Sequence, residues 1–597
     1  MVSYKAPLED IRFWLYEVFD YESRVAALPG YEEASRDLVD AVLEEGAKFC
    51  ENELLPLNQS GDKEGCHFEN GVVRTPQGFK EAYEAYCQSG WTSLACDPAY
   101  GGQGLPKTLE FLMMELVCST NMAFGMYPGL SHGAYNALEI WGSDEQKKRY
   151  LPKLAEGAWS GTMCLTEPHC GTDLGLIRTK AEPKGDGTYS ITGQKIFISA
   201  GEHDLTDNIL HLVLAKLPDA PAGTKGISLF LVPKFAVKQD GSLGARNGVA
   251  CGSLEDKMGI KASATCVMNF DEAEGTLVGE PHGGMKAMFT MMNAARLGVG
   301  IQGLGVAETA YQSAADYARD RRQGRSLSGP KDLEAKADPI IVHPDVRKNL
   351  LTVKAVNEGC RALAIWTGME IDRAEKHAEE AERRAADDFV QLMTPIIKAF
   401  MTDHGFDATV RAQQVFGGHG YIKEWGMEQL VRDARITQIY EGANGIQALD
   451  LVGRKLGHGM GRYLRRFFHP VLAFIEENQA DEQLAEYVLP LAKAFGRLQQ
   501  STAWIAEKGL KDPEEAGAAS SDYLRLFGLV TLAYIWARTA KLALAKVEAE
   551  EDPTGFYKAK VATARFYMTR VLPEASALFQ QIMAGKKPLM ELEAASF

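Results

Sequence analysis

The residues best suited to do chemistry lie between Gln414 and Gln447, in QVFGGHGYIKEWGMEQLVRDARITQIYEGANGIQ. Glu441 stands near the end of this stretch, between Tyr440 and Gly442. It follows an apolar ITQIY run, which points to a carboxylate in a dry pocket. Drawn out of water, a carboxylate is a stronger base than an exposed one. Tyr440 offers a wall on one side, and Gly442 leaves room for a substrate on the other. The competing reading is a buried glutamate paired with Arg432 or Arg435. At the head of the stretch, Gly417 and Gly418 open a GGHGY turn whose backbone amides suit a pyrophosphate. A plain helix-to-helix turn is the alternative, and His419 reads as a structural donor rather than a catalyst.

Other segments carry weaker signals. MCLTEPHCGTDLG (163–175) supplies the hydroxyls of Thr166 and Thr172, and Gly171 permits close backbone approach. Such a loop suits the polar edge of a flavin ring, or is simply a tight turn capped by hydroxyls. His169 and Cys170 are adjacent and splay apart, so no metal is expected. In KIFISAG (195–201) strand alternation puts Phe197 and Ser199 on one face, against Ile196 and Ile198. DRRQGR (320–325) concentrates guanidinium groups fit for a phosphate, or for a solvated helix end. GVGIQG (298–303) matches a dinucleotide fingerprint, but a helical pattern precedes it, so it reads as close helix packing. GLSHG (129–133) matches a nucleophile elbow without the strand that motif needs.

These residues must be positioned by several domains, because 597 residues are too many for one core. Residues 1–160 read as helical, with LEFLMMELVCSTNMAF (109–124) a helix buried all round. Residues 161–280 hold short β-branched runs separated by Gly/Pro/Asp turns, a barrel-like β domain. Residues 281–457 return to helix. There DRAEKHAEEAERRAADD (372–388) reads as a solvated helix face and 326–339 as a surface loop. Residues 458–597 form a further helical domain with breaks at 510–521 and 550–555. The fold class is therefore multi-domain α+β: helical N-terminal domain, middle β-barrel, helical bundle, and an extra C-terminal helical domain.

Composition narrows the function. The net charge of −16 argues against general nucleic-acid binding. Over 460–597 the charges balance, with 17 basic and 17 acidic residues, so a DNA-binding C-terminal domain lacks its basic cluster. The 10 cysteines are scattered singly, as expected of reduced thiols. The apolar run at 526–537 is too short for a membrane span, and the N-terminus has no presequence pattern; both point to the cytoplasm.

Taken in order, YGGQGL, MCLTEPHCGTD, KIFISAG, KMGIKAS, DRRQGR, QVFGGHGY and QIYEGANGIQ resemble the acyl-CoA dehydrogenase superfamily over residues 1 to about 457. The opening residues and the C-terminal extension resemble its long bacterial subgroup. That subgroup includes fatty acyl-CoA and 3-methylmercaptopropionyl-CoA dehydrogenases. The resemblance implies FAD as cofactor and an acyl-CoA as substrate, with Glu441 removing the α-proton as hydride passes to flavin N5. It implies that Leu165, Thr166, Gly171 and Thr172 meet the isoalloxazine and that Phe197 and Ser199 cover its other side. Arg321 would meet the pyrophosphate; Gln414, Gly417 and Gly418 would reach the FAD of a neighbouring subunit, so a homo-oligomer, a dimer, is expected. Asn293 and Arg296 lie where the family meets the CoA part, and Tyr440 and Gly442 are the expected substrate walls. An electron-transferring flavoprotein is the implied acceptor; oxygen, as in acyl-CoA oxidases, is the alternative. Some relatives carry the base just before the position of Arg296, where Ala295 cannot serve. The chain departs from the common pattern at Gly324-Arg325 and at Ala443-Asn444-Gly445.

Overall fold

The computed structural model describes residues 2–597. The chain divides into two compact units, 45–298 and 1–44 with 299–597.

In the first unit the expected buried helix runs on to Trp141, as Lys107–Trp141, with a kink at Asn121 (φ −159°, ψ 86°). Asn121 Nδ2 donates to the Leu54 carbonyl (3.3 Å), and its Oδ1 accepts from the Phe124 N–H (3.1 Å). An inserted polar side chain thus ends one half and caps the next. The apolar pattern hides the break because both halves are buried.

The β region closes on itself. Thr265–Val278 pairs antiparallel with Tyr189–Ser199 and, at its far end, with Ile227–Pro233. Ile227–Pro233 pairs with Asn208–Lys216, which meets Lys180–Pro183 at Lys216 and Lys180. Lys180–Pro183 returns to Tyr189–Ser199. Ile191, Val213, Phe230, Cys266 and Phe270 fill one core, and Leu138, Leu151, Trp159, Leu212 and Met288 fill another shared with the helices. The alternation expected across 195–199 fails. A register shift between Cys266 and Met268 puts Phe197 at φ +58°, and Lys195 and Ile198, three residues apart, are both buried. The bulge turns Phe197 outward.

In the second unit, helices Pro344–Lys376 and Glu380–Phe416 pair closely. GVGIQG packs as the sequence suggests. A Cβ on Gly300 would lie 2.7 Å from Ile397 Cγ2, and one on Gly303 2.8 Å from the Met401 carbonyl oxygen. Residues 372–388 are not one solvated helix face. They turn between the two helices at His377–Glu379, and Asp372 and Asp388 are buried. Tyr31 donates to Asp372 at 3.2 Å, and Arg462 grips Asp388 with two bonds of 2.8 and 2.9 Å. The loop 326–339 is organised by buried Asp338, which accepts from the Ser326, Lys331 and Asp332 amides, each at 2.9 Å. With Arg325, those amides hold its carboxyl well below the usual range.

The first 44 residues fold with this unit rather than with the helices that follow them in sequence. Trp14 packs edge-on against Trp536 (5.9 Å between centroids), and Asp10 is bound by Arg361 and Lys560. In the C-terminal region the break expected at 510–521 shrinks to Asp512. Its side chain caps the Glu514 N–H at 3.0 Å, with Pro513 opening the next helix. The small residues after it are helical because they pack tightly; a Cβ on Gly509 would lie 2.9 Å from Ala516 Cβ. Helix Pro513–Glu548 is buried along most of its length, and Trp536 Nε1 donates to the Ala355 carbonyl at 3.0 Å. Among the described residues no helix is long and apolar enough to cross a membrane.

Candidate active site

In unit 45–298 the loop after strand Trp159–Cys164 meets the end of strand Tyr189–Ser199. The Ile196 N–H donates to the Thr166 carbonyl at 2.9 Å. A Cβ on Gly171 would touch Thr166 Cγ2 at 3.2 Å, so the loop carrying Leu165, Thr166, Gly171 and Thr172 packs beside the strand end that carries Phe197 and Ser199. Behind it lies a buried ion pair. Lys195 Nζ is 2.9 Å from Glu167 Oε1 and donates to the Leu165 carbonyl at 3.0 Å. Glu167 also accepts from the Arg178 and Thr179 amides (2.7 and 3.0 Å) and the Thr179 hydroxyl (2.6 Å). Against the upward push of burial, Lys195's charge and these donors hold the Glu167 carboxyl below its usual range. Sequence reasoning missed both residues; the signal was a lone lysine inside an apolar strand.

Glu167 is also the third group near His169 and Cys170 that the sequence did not supply. Its oxygens are committed to Lys195, Thr179 and Arg178, and His169 Nε2 lies 2.9 Å from the Leu176 carbonyl. These bonds anchor the loop.

The surface in front of this anchor fits a flat ring with a polar edge. Phe197 is 59% exposed although its backbone is held in the left-handed region. The amides of Gly171 and Thr172 are exposed and have no partner among the described residues. Elsewhere in this unit, Asn293 and Arg296 share one face of helix Gly284–Asp320. Arg296 is buried, with NH1 3.5 Å from Asn293 Oδ1.

The second unit holds the other predicted residues. Tyr317 stacks on Phe416 (4.2 Å), and its hydroxyl lies 2.9 Å from His419 Nδ1; His419 stacks on Trp425 (4.6 Å). This aromatic cluster packs His419 against Tyr317 and Trp425 and holds the GGHG turn. Gln414, Gly417 and Gly418 are exposed, and Cβ atoms on the two glycines would meet nothing within 4 Å. Arg321 follows Tyr317 by one helical turn and is exposed. Of its neighbours, Arg322 binds Asp332 and Arg325 binds Asp338.

Glu441 sits at φ +56° and Gly442 at φ +84°. A network holds this turn. Asn444 donates to Asp403 (2.7 Å) and Thr402 (2.9 Å) and accepts from Lys398 (2.8 Å). Gln438 also donates to Asp403 at 2.7 Å, and Gln447 donates to the Gly442 carbonyl at 3.1 Å. Asn444 is one of the positions where the chain departs from the common pattern, and here it is the clamp. Tyr440 donates to Gln302. Arg432 is held by Glu428 at 2.5 and 2.9 Å, and Arg435 donates to Gln438 at 3.1 Å.

Family models match most of the chain. The "Acyl-CoA dehydrogenase" N-terminal, middle and C-terminal domains fall on residues 37–158, 162–273 and 282–456. "Acetyl-CoA dehydrogenase C-terminal like" falls on 467–593. A 3-methylmercaptopropionyl-CoA dehydrogenase of Ruegeria pomeroyi is 44% identical, over 97% of this chain and 98% of the relative. The broad-specificity linear acyl-CoA dehydrogenase FadE5 of Mycobacterium tuberculosis is 34% identical over the full length of both. In fold, the chain is similar to an acyl-CoA dehydrogenase of Bacillus anthracis solved with FAD (TM-score 0.74, 22% identity, 98% of this chain and 92% of that one).

Proposed function

The chain belongs to the acyl-CoA dehydrogenase family, and on that premise we propose that Glu441 is the base that removes the α-proton of an acyl-CoA thioester. The product is the trans-2-enoyl-CoA. The observation that carries this reading is the backbone of Glu441. Holding a non-glycine residue in the left-handed region costs about 1–3 kcal/mol, and such strain gathers at functional sites. The Asn444–Asp403–Lys398 network maintains the strained turn. Glu441 takes the proton, Gly442 leaves the thioester an approach, and Tyr440, tethered to Gln302, walls the site.

FAD is the cofactor and supplies the hydride acceptor. The exposed amides of Gly171 and Thr172, with Leu165 and Thr166, suit its polar edge; Phe197 and Ser199 offer the cover for the ring. Arg321 takes a phosphate, and Gln414, Gly417 and Gly418 serve the FAD of a second copy in a homodimer. Asn293 and Arg296 receive the CoA part. The sequence divisions are 1–160, 161–280, 281–457 and 458–597, with residues 1–44 folding together with 299–597; the setting is fatty-acid β-oxidation in the cytoplasm, with an electron-transferring flavoprotein as acceptor. A second reading, 3-methylmercaptopropionyl-CoA as substrate, is favoured by the Ruegeria relative at 44% identity.

The test is anaerobic bleaching of bound flavin by a series of acyl-CoA esters, 3-methylmercaptopropionyl-CoA included. Bleaching by at least one ester is expected. No bleaching by any of them defeats the reading.

A further inference from the structure

Strained backbone such as that of Glu441 persists only where the surroundings over-determine it. The clamp on this turn comes from one stretch of helix Glu380–Phe416: Lys398, Thr402 and Asp403 all bond Asn444. Phe400 stands inside that stretch and is buried. It lies against helix Pro513–Glu548, where Gly528 has no side chain to keep it off. A Cβ on Gly528 would fall 2.3 Å from Phe400 Cδ2 and 2.5 Å from its Cγ. Cγ is the root of the ring, so turning the ring does not relieve that clash, and one helix has to shift. The same C-terminal helix packs on helix Asn444–Asp450, the element that carries Asn444. Its own place is fixed by the Tyr567 hydroxyl, which donates to the Leu529 carbonyl at 2.8 Å, and by Arg525, which Glu574 holds.

We propose that Gly528 is a positioning residue for the dehydrogenation: by seating Phe400 it sets where Lys398, Thr402 and Asp403 hold Asn444, and so where the Glu441 carboxylate meets its substrate. This rests on Glu441 as the base, as read above. Close-packed helices transmit a small displacement instead of absorbing it. A base about 1 Å out of place costs up to ~10²-fold in rate, whereas the ester is held by other groups and still binds. The C-terminal helices thereby bear on the rate as well as on the core.

The test is single-turnover flavin reduction in the full-length FAD-loaded enzyme, without oxygen, by an acyl-CoA that bleaches the wild type and by the same ester deuterated at the α-carbon. Gly528→Ala should slow reduction by roughly 10–10²-fold and enlarge the α-deuterium isotope effect. The Kd of the ester should stay within about twofold of the wild type, since the loss falls on the step and not on binding. A merely structural loss lowers the fraction of active enzyme and leaves the rate constant per bound flavin and the isotope effect where they were. Gly517→Ala is the control: it lies earlier in the same helix, its added Cβ would make only an ordinary contact, 3.8 Å from Leu449 Cδ2, and its reduction rate should match the wild type. Should Gly528→Ala fail to fold, Phe400→Leu, which unseats the ring without a clash, decides by the same split between rate and affinity. Wild-type reduction in the seat variant, a loss of affinity in place of rate, or an equal slowing in Gly517→Ala overturns the proposal while Glu441 stands as the base. Fast reduction by Glu441→Gln overturns that reading instead.

Discussion

Phe197 and Glu441 both occupy backbone conformations that L side chains rarely adopt, and neither conformation is written in a local pattern. Alternation through KIFIS predicts an ordinary strand, and the bulge that turns Phe197 outward depends on its register against Cys266 and Met268. Glu441 stood out as a candidate because it is an acid beside a glycine after an apolar run. Its clamp was not, since Asn444 acts on Asp403 and Lys398, some forty residues earlier. The Lys195–Glu167 pair shows the same limit: a lone lysine in a strand signals a buried partner without identifying it. Glu167→Ala would leave Lys195 buried without its counter-ion, a loss of about 3–5 kcal/mol. Urea denaturation should show that drop in midpoint, and Glu167→Gln, which keeps the hydrogen-bonding shape, a smaller one.

At the scale of elements, helix existence was readable from apolar spacing, whereas interruptions were not. Asn121 kinks a helix whose halves are both buried, and Asp512 breaks one in a single residue. GVGIQG was readable as packing because no strand precedes it, and Gly300 and Gly303 do allow close approach to Ile397 and Met401. The attachment of residues 1–44 is set by charges that sequence cannot pair. Burial raises Asp10, but Lys560 and Arg361 prevail and lower its carboxyl from 3.8 to about 2. A depressed acid adds stability above its unfolded value and loses it as pH falls through the folded one, so the contribution is full above pH 3.8 and gone below about 2. The stability gap between wild type and Asp10→Asn, about 2 kcal/mol near neutrality, should close over that window in pH-dependent denaturation. A gap that persists at pH ~2 contradicts this assignment.

At the scale of the molecule, the C-terminal helices are part of a core rather than an appendage. Trp536 reaches the Ala355 carbonyl, a Cβ on Gly359 would lie 2.8 Å from Leu532 Cγ, and Trp14 packs on Trp536. A chain ending at residue 457 should therefore expose this apolar face and aggregate, which solubility and light scattering will report. A soluble, cooperatively melting truncation contradicts that view. The family was legible from motifs spread along the chain, each weak alone and specific in order. The central claim, that Glu441 is the base, is tested most directly by rapid anaerobic mixing of FAD-loaded Glu441→Gln enzyme with an acyl-CoA that bleaches the wild type. The account predicts that the ester still binds while flavin reduction slows by roughly 10²–10⁴-fold. Reduction within about tenfold of the wild-type rate would place the base elsewhere.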